Sequence, residues 1–111
     1  MQLPFEITAH EVKRRLDAGE TLQLIDVREP FEHQIAQIAN SELIPMNTVP
    51  VALQQIEQKA DGGVVIVFCH HGMRSLSVVN WLRQQGVTEC QSMAGGIDSW
   101  SAVVDPAVPR Y

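Results

Sequence analysis

The segment Val64-Val65-Ile66-Val67-Phe68 is five consecutive apolar residues with no polar residue interleaved. A strand with one wet face alternates, because successive side chains point to opposite faces. A run without alternation belongs in a sheet covered on both faces, which means a parallel sheet flanked by helices. Asp61-Gly62-Gly63 breaks the chain before the run, and a loop containing Gly72 follows it. The run is therefore expected to be the central strand of an α/β domain.

The remaining patterns supply the layers around it. Thr8-Ala9-His10-Glu11 has the form of a capping box, with Ala9, Val12 and Leu16 at helical spacing and Gly19 as the stop. Leu22 to Val27 reads as an apolar strand with Asp26 at its end, and Pro30 to Ile35 as a short helical turn. Leu43-Ile44 is expected to be a second, very short strand. Asn47 suits a helix cap, Pro50 a first turn, and Val49, Leu53 and Ile56 form an apolar stripe. From Arg74 to Gln85, Val78, Val79 and Leu82 share one helical face; Val87 to Met93 reads as a returning strand, and Ile97 to Val104 as a last short helix. The expected class is α/β, a small open and mostly parallel sheet with helices on both faces, forming one domain over residues 1–111.

Composition excludes several partners. The 111 residues carry a formal net charge of -5, with a pI near 5.2, which disfavours nonspecific binding to nucleic acid or anionic membrane. The longest aliphatic run is far too short to span a bilayer, and Met1 to Phe5 lacks the basic start of a leader, so a cytoplasmic location is expected. Only Cys69 and Cys90 are available as thiols, in unlike surroundings, which argues against a disulfide framework.

The chemistry concentrates in Cys69-His70-His71-Gly72-Met73-Arg74-Ser75, directly after the expected central strand and before a helix. Ligands of open α/β sheets bind at the carboxyl ends of strands. Backbone N–H groups of such a turn and of the first helical turn are unused by the helix, so they can favour thiolate over thiol at Cys69. Arg74 adds a permanent charge and a planar fork, Gly72 lets the loop curl, and His70 and His71 can donate hydrogen bonds or remain solvated loop residues. These residues describe an anion cradle with a nucleophile at its base.

Asp26-Val27-Arg28-Glu29 with Glu32, Leu43-Ile44-Pro45, the loop Cys69 to Ser75, and Gly95-Gly96-Ile97-Asp98-Ser99-Trp100 follow one another in an order that resembles the rhodanese family over nearly the whole chain. The resemblance implies a rhodanese-like fold and a sulfurtransferase. Cys69 would attack a small anionic donor such as thiosulfate and hold the sulfane sulfur as a persulfide, stabilised by loop amides. It would then deliver the sulfur to cyanide, a thiol or a sulfur-carrier protein, with Arg74 helping to bind the donor. Where the family commonly has Gly-His-Ile this chain has Ala36-Gln37-Ile38, a departure confined to the turn before the second strand. Asp105 to Tyr111 looks like the tail of rhodanese domains fused to enzymes that adenylylate sulfur-carrier proteins.

Other readings of the same letters are blander. Cys69 could be a buried structural thiol, and Cys90, within an expected strand, reads as core. A zinc site from Cys69, His70 and His71 is disfavoured because consecutive residues seldom converge on one ion; neither metal nor cofactor is expected. Asp26 and Arg28 read as supports of the loop's surroundings, Glu32 as a surface or supporting pair, and Trp81 and Trp100 as packing. The enzymatic rival is a cysteine phosphatase or arsenate reductase, whose loop has five residues between cysteine and arginine where this chain has four, His70 to Met73. The non-enzymatic rival is a rhodanese-like regulatory module, which often lacks the cysteine.

Overall fold

A computed structural model describes residues 2–111; Met1, part of the stretch read above for a leader, lies outside them. The elements run β1 (Glu6–Thr8), α1 (Ala9–Asp17), β2 (Leu22–Asp26), α2 (Pro30–Ile35), β3 (Glu42–Leu43), a 3-10 turn (Met46–Thr48), α3 (Leu53–Gly62), β4 (Val64–Phe68), α4 (Met73–Gln84), β5 (Cys90–Ala94) and α5 (Gly96–Val103). The five strands form one sheet in the order β1-β5-β4-β2-β3, with every pairing parallel. The non-alternating run is thus the middle strand. Val65 and Val67 face one core with Ile56 of α3 and Val78, Val79 and Leu82 of α4. Ile66 and Phe68 face the other, with Val12 of α1 and Ile97 and Trp100 of α5.

Where the structure departs from the sequence expectations, the cause is long-range pairing, a competing charge or a local turn. Strand β1 has no periodic signature in its three residues; it exists because Glu6, Ile7 and Thr8 lie beside Ser92, Met93 and Ala94. Thr8 Oγ1 accepts from the Glu11 N–H at 3.1 Å, but the Glu11 carboxylate turns to the Arg14 Nε at 2.8 Å, so only half of the expected capping box forms. A charge-assisted bond to a guanidinium outcompetes one to a neutral amide. Asn47 does not cap α3: the 3-10 turn holds it, Pro50 has no N–H for the helical ladder, and the helix starts only at Leu53. Strand β5 starts at Cys90 rather than Val87, because Val87 is held by the end of α4 through its N–H to Leu82 O.

Register decides where the site forms. Asp26 pairs with Phe68, and the Val27 N–H donates to Phe68 O, so the carboxyl ends of β2 and β4 open side by side. Val67 pairs with Ser92, which places the β5 hydroxyl two residues short of Cys69 along the strands and on the same face of the sheet. Helix α5 then folds its first N–H groups back over the same edge. Among the described residues no helix is long and apolar enough to cross a membrane.

Candidate active site

Cys69 follows the last residue of β4, with its side chain 1% exposed at the floor of the loop. Two backbone donors aim at the sulfur, the Gly72 N–H at 3.1 Å and the Ser75 N–H at 3.4 Å. Gly72 has φ of 106°, a left-handed conformation that side chains disfavour, and this turn points its N–H inward. The Ser75 hydroxyl stands 3.5 Å from the sulfur and 2.7 Å from the Ser92 hydroxyl, and it donates to Gly72 O at 3.2 Å. These donors are already in place, so a charge developing on the sulfur would meet them without reorganisation.

The loop's carbonyls point the other way and are fastened. Cys69 O accepts from the Ile97 N–H at 2.9 Å and His70 O from the Asp98 N–H at 3.1 Å, both first-turn donors of α5. Gly96 makes this approach possible. A Cβ there would lie 2.4 Å from Cys69 O and from His70 O, at a φ of +61°.

Around this loop the structure arranges a buried ionic network. Arg28 is 0% exposed and spans Asp26 with both ends of its fork, Nε to Oδ1 at 2.9 Å and Nη2 to Oδ2 at 2.7 Å. Its other N–H groups reach Glu32 O, Ala36 O and the Tyr111 hydroxyl. Arg74 is clamped by Glu32, with Nη1 to Oε2 at 2.7 Å and Nη2 to Oε1 at 2.9 Å. Arg74 chiefly holds the Glu32 carboxyl well below the usual carboxylate range, at about 2, against the opposing effect of burial. Glu32 is a buried supporting group rather than a surface one.

His70 is sandwiched between His71 (ring centroids 3.9 Å apart) and Tyr111 (3.8 Å apart). Burial, followed by the neighbouring His71, pushes the His70 imidazole below its ordinary range, and its Nε2 is buried without a hydrogen-bond partner. His70, His71 and Asp98 each bring one possible ligand atom to within 4.8 Å of the others, although the Asp98 carboxylate already accepts from Arg110 at 3.0 Å. His71 is exposed and Met73 is 82% exposed at the rim. Cys90 is buried 0% exposed, donates to Val87 O, and has its thiol pushed up by burial.

Sequence reasoning gave no site role to three contributors, Ser92, Gly96 and Tyr111, although the last two lie in stretches that carry the resemblance. Ser92 sits mid-strand among buried residues, where a hydroxyl needs a partner, and that is the one local hint.

Comparison with known proteins bears on the family and the fold. The Rhodanese-like domain model matches residues 8–103. The maize "Adenylyltransferase and sulfurtransferase MOCS3-1" is 35% identical over 109 residues, covering 95% of this chain but 23% of that protein. The chain thus spans about a quarter of the length of such relatives. A "Sulfurtransferase" of Allochromatium vinosum is 30% identical, with 86% of this chain and 87% of that protein covered. Among solved structures, a rhodanese-related protein from Thermoplasma volcanium superposes with a TM-score of 0.80 at 31% identity, covering 97% of this chain and all of that one (100%). The human single-domain sulfurtransferase TSTD1 shares the fold, with a TM-score of 0.77 at 23% identity, covering 91% of this chain and 98% of that one. With the motif order, the parallel sheet and the cysteine loop all in agreement, this chain belongs to the rhodanese-like domain family of sulfurtransferases.

Proposed function

We propose that this chain moves a sulfane sulfur from a donor to a thiophilic acceptor through a persulfide on Cys69. The observation that carries the reading is the sulfur at the end of the central strand with the Gly72 and Ser75 N–H groups aimed at it. In the first half-reaction the Cys69 thiolate attacks the outer sulfur of the donor, the donor's S–S bond breaks, and its electron pair leaves with sulfite or a thiolate. In the second, a nucleophile takes the terminal sulfur and the Cys69 thiolate is restored. Two half-reactions through a carried group give ping-pong kinetics. Asp26 at the end of β2 and Arg28 just beyond it support the loop's surroundings, the Gly72 and Ser75 N–H groups stabilise the persulfide, and Arg74 is the cation nearest the donor. Cyanide, a thiol or a sulfur-carrier protein would serve as acceptor; the name of the maize relative, which pairs sulfur transfer with adenylylation, supports the last.

With only His70 to Met73 between Cys69 and Arg74, the loop suits one extra sulfur atom better than a phosphoryl group. Sulfur transfer to cyanide from thiosulfate or a small alkyl persulfide should therefore be measurable, with no hydrolysis of an aryl phosphate. Phosphate release without sulfur transfer would overturn the reading.

The contact of α5 with the loop supplies a second test. Gly96→Ala should destabilise the fold by about 2 kcal/mol from the left-handed backbone alone and displace the carbonyls of Cys69 and His70. Urea unfolding together with the rate of Cys69 sulfur loading checks this. Wild-type loading in a folded variant would mean that the α5 contact does not position the loop.

A further inference from the structure

Every arginine around the cysteine loop carries its own carboxylate. Arg28 pairs with the buried Asp26, Arg74 with Glu32 and Arg110 with Asp98. The permanent charge of the site is therefore cancelled locally, within a chain whose formal net charge is -5. Arg74 decides the matter, because it stands in the first turn of α4 directly before Ser75, whose N–H and hydroxyl face the Cys69 sulfur.

Glu32 is not a casual partner. Its Oε1 accepts from Arg74 and from the Tyr111 hydroxyl at 2.9 Å, and its Oε2 accepts from Arg74 and from the Glu29 N–H at 2.9 Å. The Tyr111 hydroxyl is held in turn by Arg28 Nη1 at 2.8 Å, and the Tyr111 ring lies flat on His70. The carboxylate is thus saturated and braced from three elements, with a side chain 7% exposed against 35% for Arg74. An incoming dianion cannot displace it without leaving a buried charge unpaired.

We infer that Glu32 is a specificity-determining residue that makes thiosulfate the poorer donor and a persulfide with an uncharged head the preferred one. The inference rests on Cys69 being the sulfur-carrying thiol. Thiosulfate brings a sulfonate that needs a net cation, while the amides that face the sulfur are already committed to it. A persulfide RSSH needs no such site. The Cys69 thiolate attacks its outer sulfur, the RS–S bond breaks, and RSH leaves with the proton, giving the Cys69 persulfide anion. Tyr111 acts as a positioning residue, through its bond to Glu32.

The test is the ratio of kcat/KM for thiosulfate to kcat/KM for 2-hydroxyethyl persulfide, with cyanide as acceptor. The wild-type ratio should lie below one. Glu32→Gln keeps the shape but removes the charge, and should raise the ratio about tenfold, through a lower KM for thiosulfate, as expected for an uncovered bidentate cation. Removing both charges with Glu32→Gln and Arg74→Ala should return the ratio to within about twofold of wild type, since a site without either charge is again neutral. An unchanged or lowered ratio in a folded Glu32→Gln protein overturns the inference. Should that variant not fold, the wild-type KM for thiosulfate still decides: with cancelled charge it does not rise between low and physiological ionic strength, and a steep rise would expose a free cation. If neither donor loads Cys69, the sulfur-transfer reading itself fails, which is a different result.

Discussion

Cys69→Ser should reduce sulfur transfer to background, a loss of at least about a thousandfold, the scale on which removal of a covalent nucleophile acts. The substitution changes the sulfur for an oxygen at a position 1% exposed, and the Gly72 and Ser75 N–H groups remain to donate to it. Stability should therefore stay within about 1 kcal/mol of wild type, as for a near-isosteric change with its hydrogen bonds kept. The loss would report chemistry rather than unfolding. Intact mass after incubation with a donor, without reductant, should show one added sulfur atom on the wild type, removable by cyanide, and none on the variant. Cys90→Ser is the matching control, because Cys90 faces the core and Val87 O, away from the loop. Added sulfur surviving in Cys69→Ser but not in Cys90→Ser would move the reaction to the other thiol.

How far this site can be read from sequence follows the distance over which each part acts. The run Val64 to Phe68 reports burial on both faces without reference to any partner, so the central parallel strand and the cysteine at its end are legible locally. The crossover helices are legible for the same reason, through Val12, Ile56 and Val78. The outer strand β1 is not, because three residues acquire strand character only by pairing with β5. The ionic brace is hidden in the same way. Glu32 and Arg74 are 42 residues apart and Tyr111 is 79 from Glu32, and none of the three sits in a periodic pattern that marks it as buried. Letters show that Arg74 is a cation near the thiol; only the fold shows that its charge is already answered.

The largest effect on stability should come from Arg28. A guanidinium has five N–H donors, and each here has an acceptor: two on Asp26, one on Glu32 O, one on Ala36 O and one on the Tyr111 hydroxyl. Both Arg28 and Asp26 are 0% exposed, so Arg28→Ala leaves a carboxylate in the interior with only the backbone N–H of residue 28, at 3.0 Å, and the His33 Nδ1, at 3.0 Å, still beside it. Breaking one side of a buried pair destabilises by about 3–5 kcal/mol. That is comparable to a large part of the 5–15 kcal/mol or so that holds a domain of this size together. Arg28→Lys should recover little, because a single ammonium cannot span both carboxylate oxygens and reach two carbonyls. Asp26→Asn combined with Arg28→Met removes both charges and should be milder than Arg28→Ala, since no ion is then left unpaired. Urea unfolding of the four proteins at neutral pH orders them directly. Arg28→Ala within about 1 kcal/mol of wild type would show that the brace under the loop is replaceable by water, and that the position of α2, and of Glu32 with it, is held by packing alone.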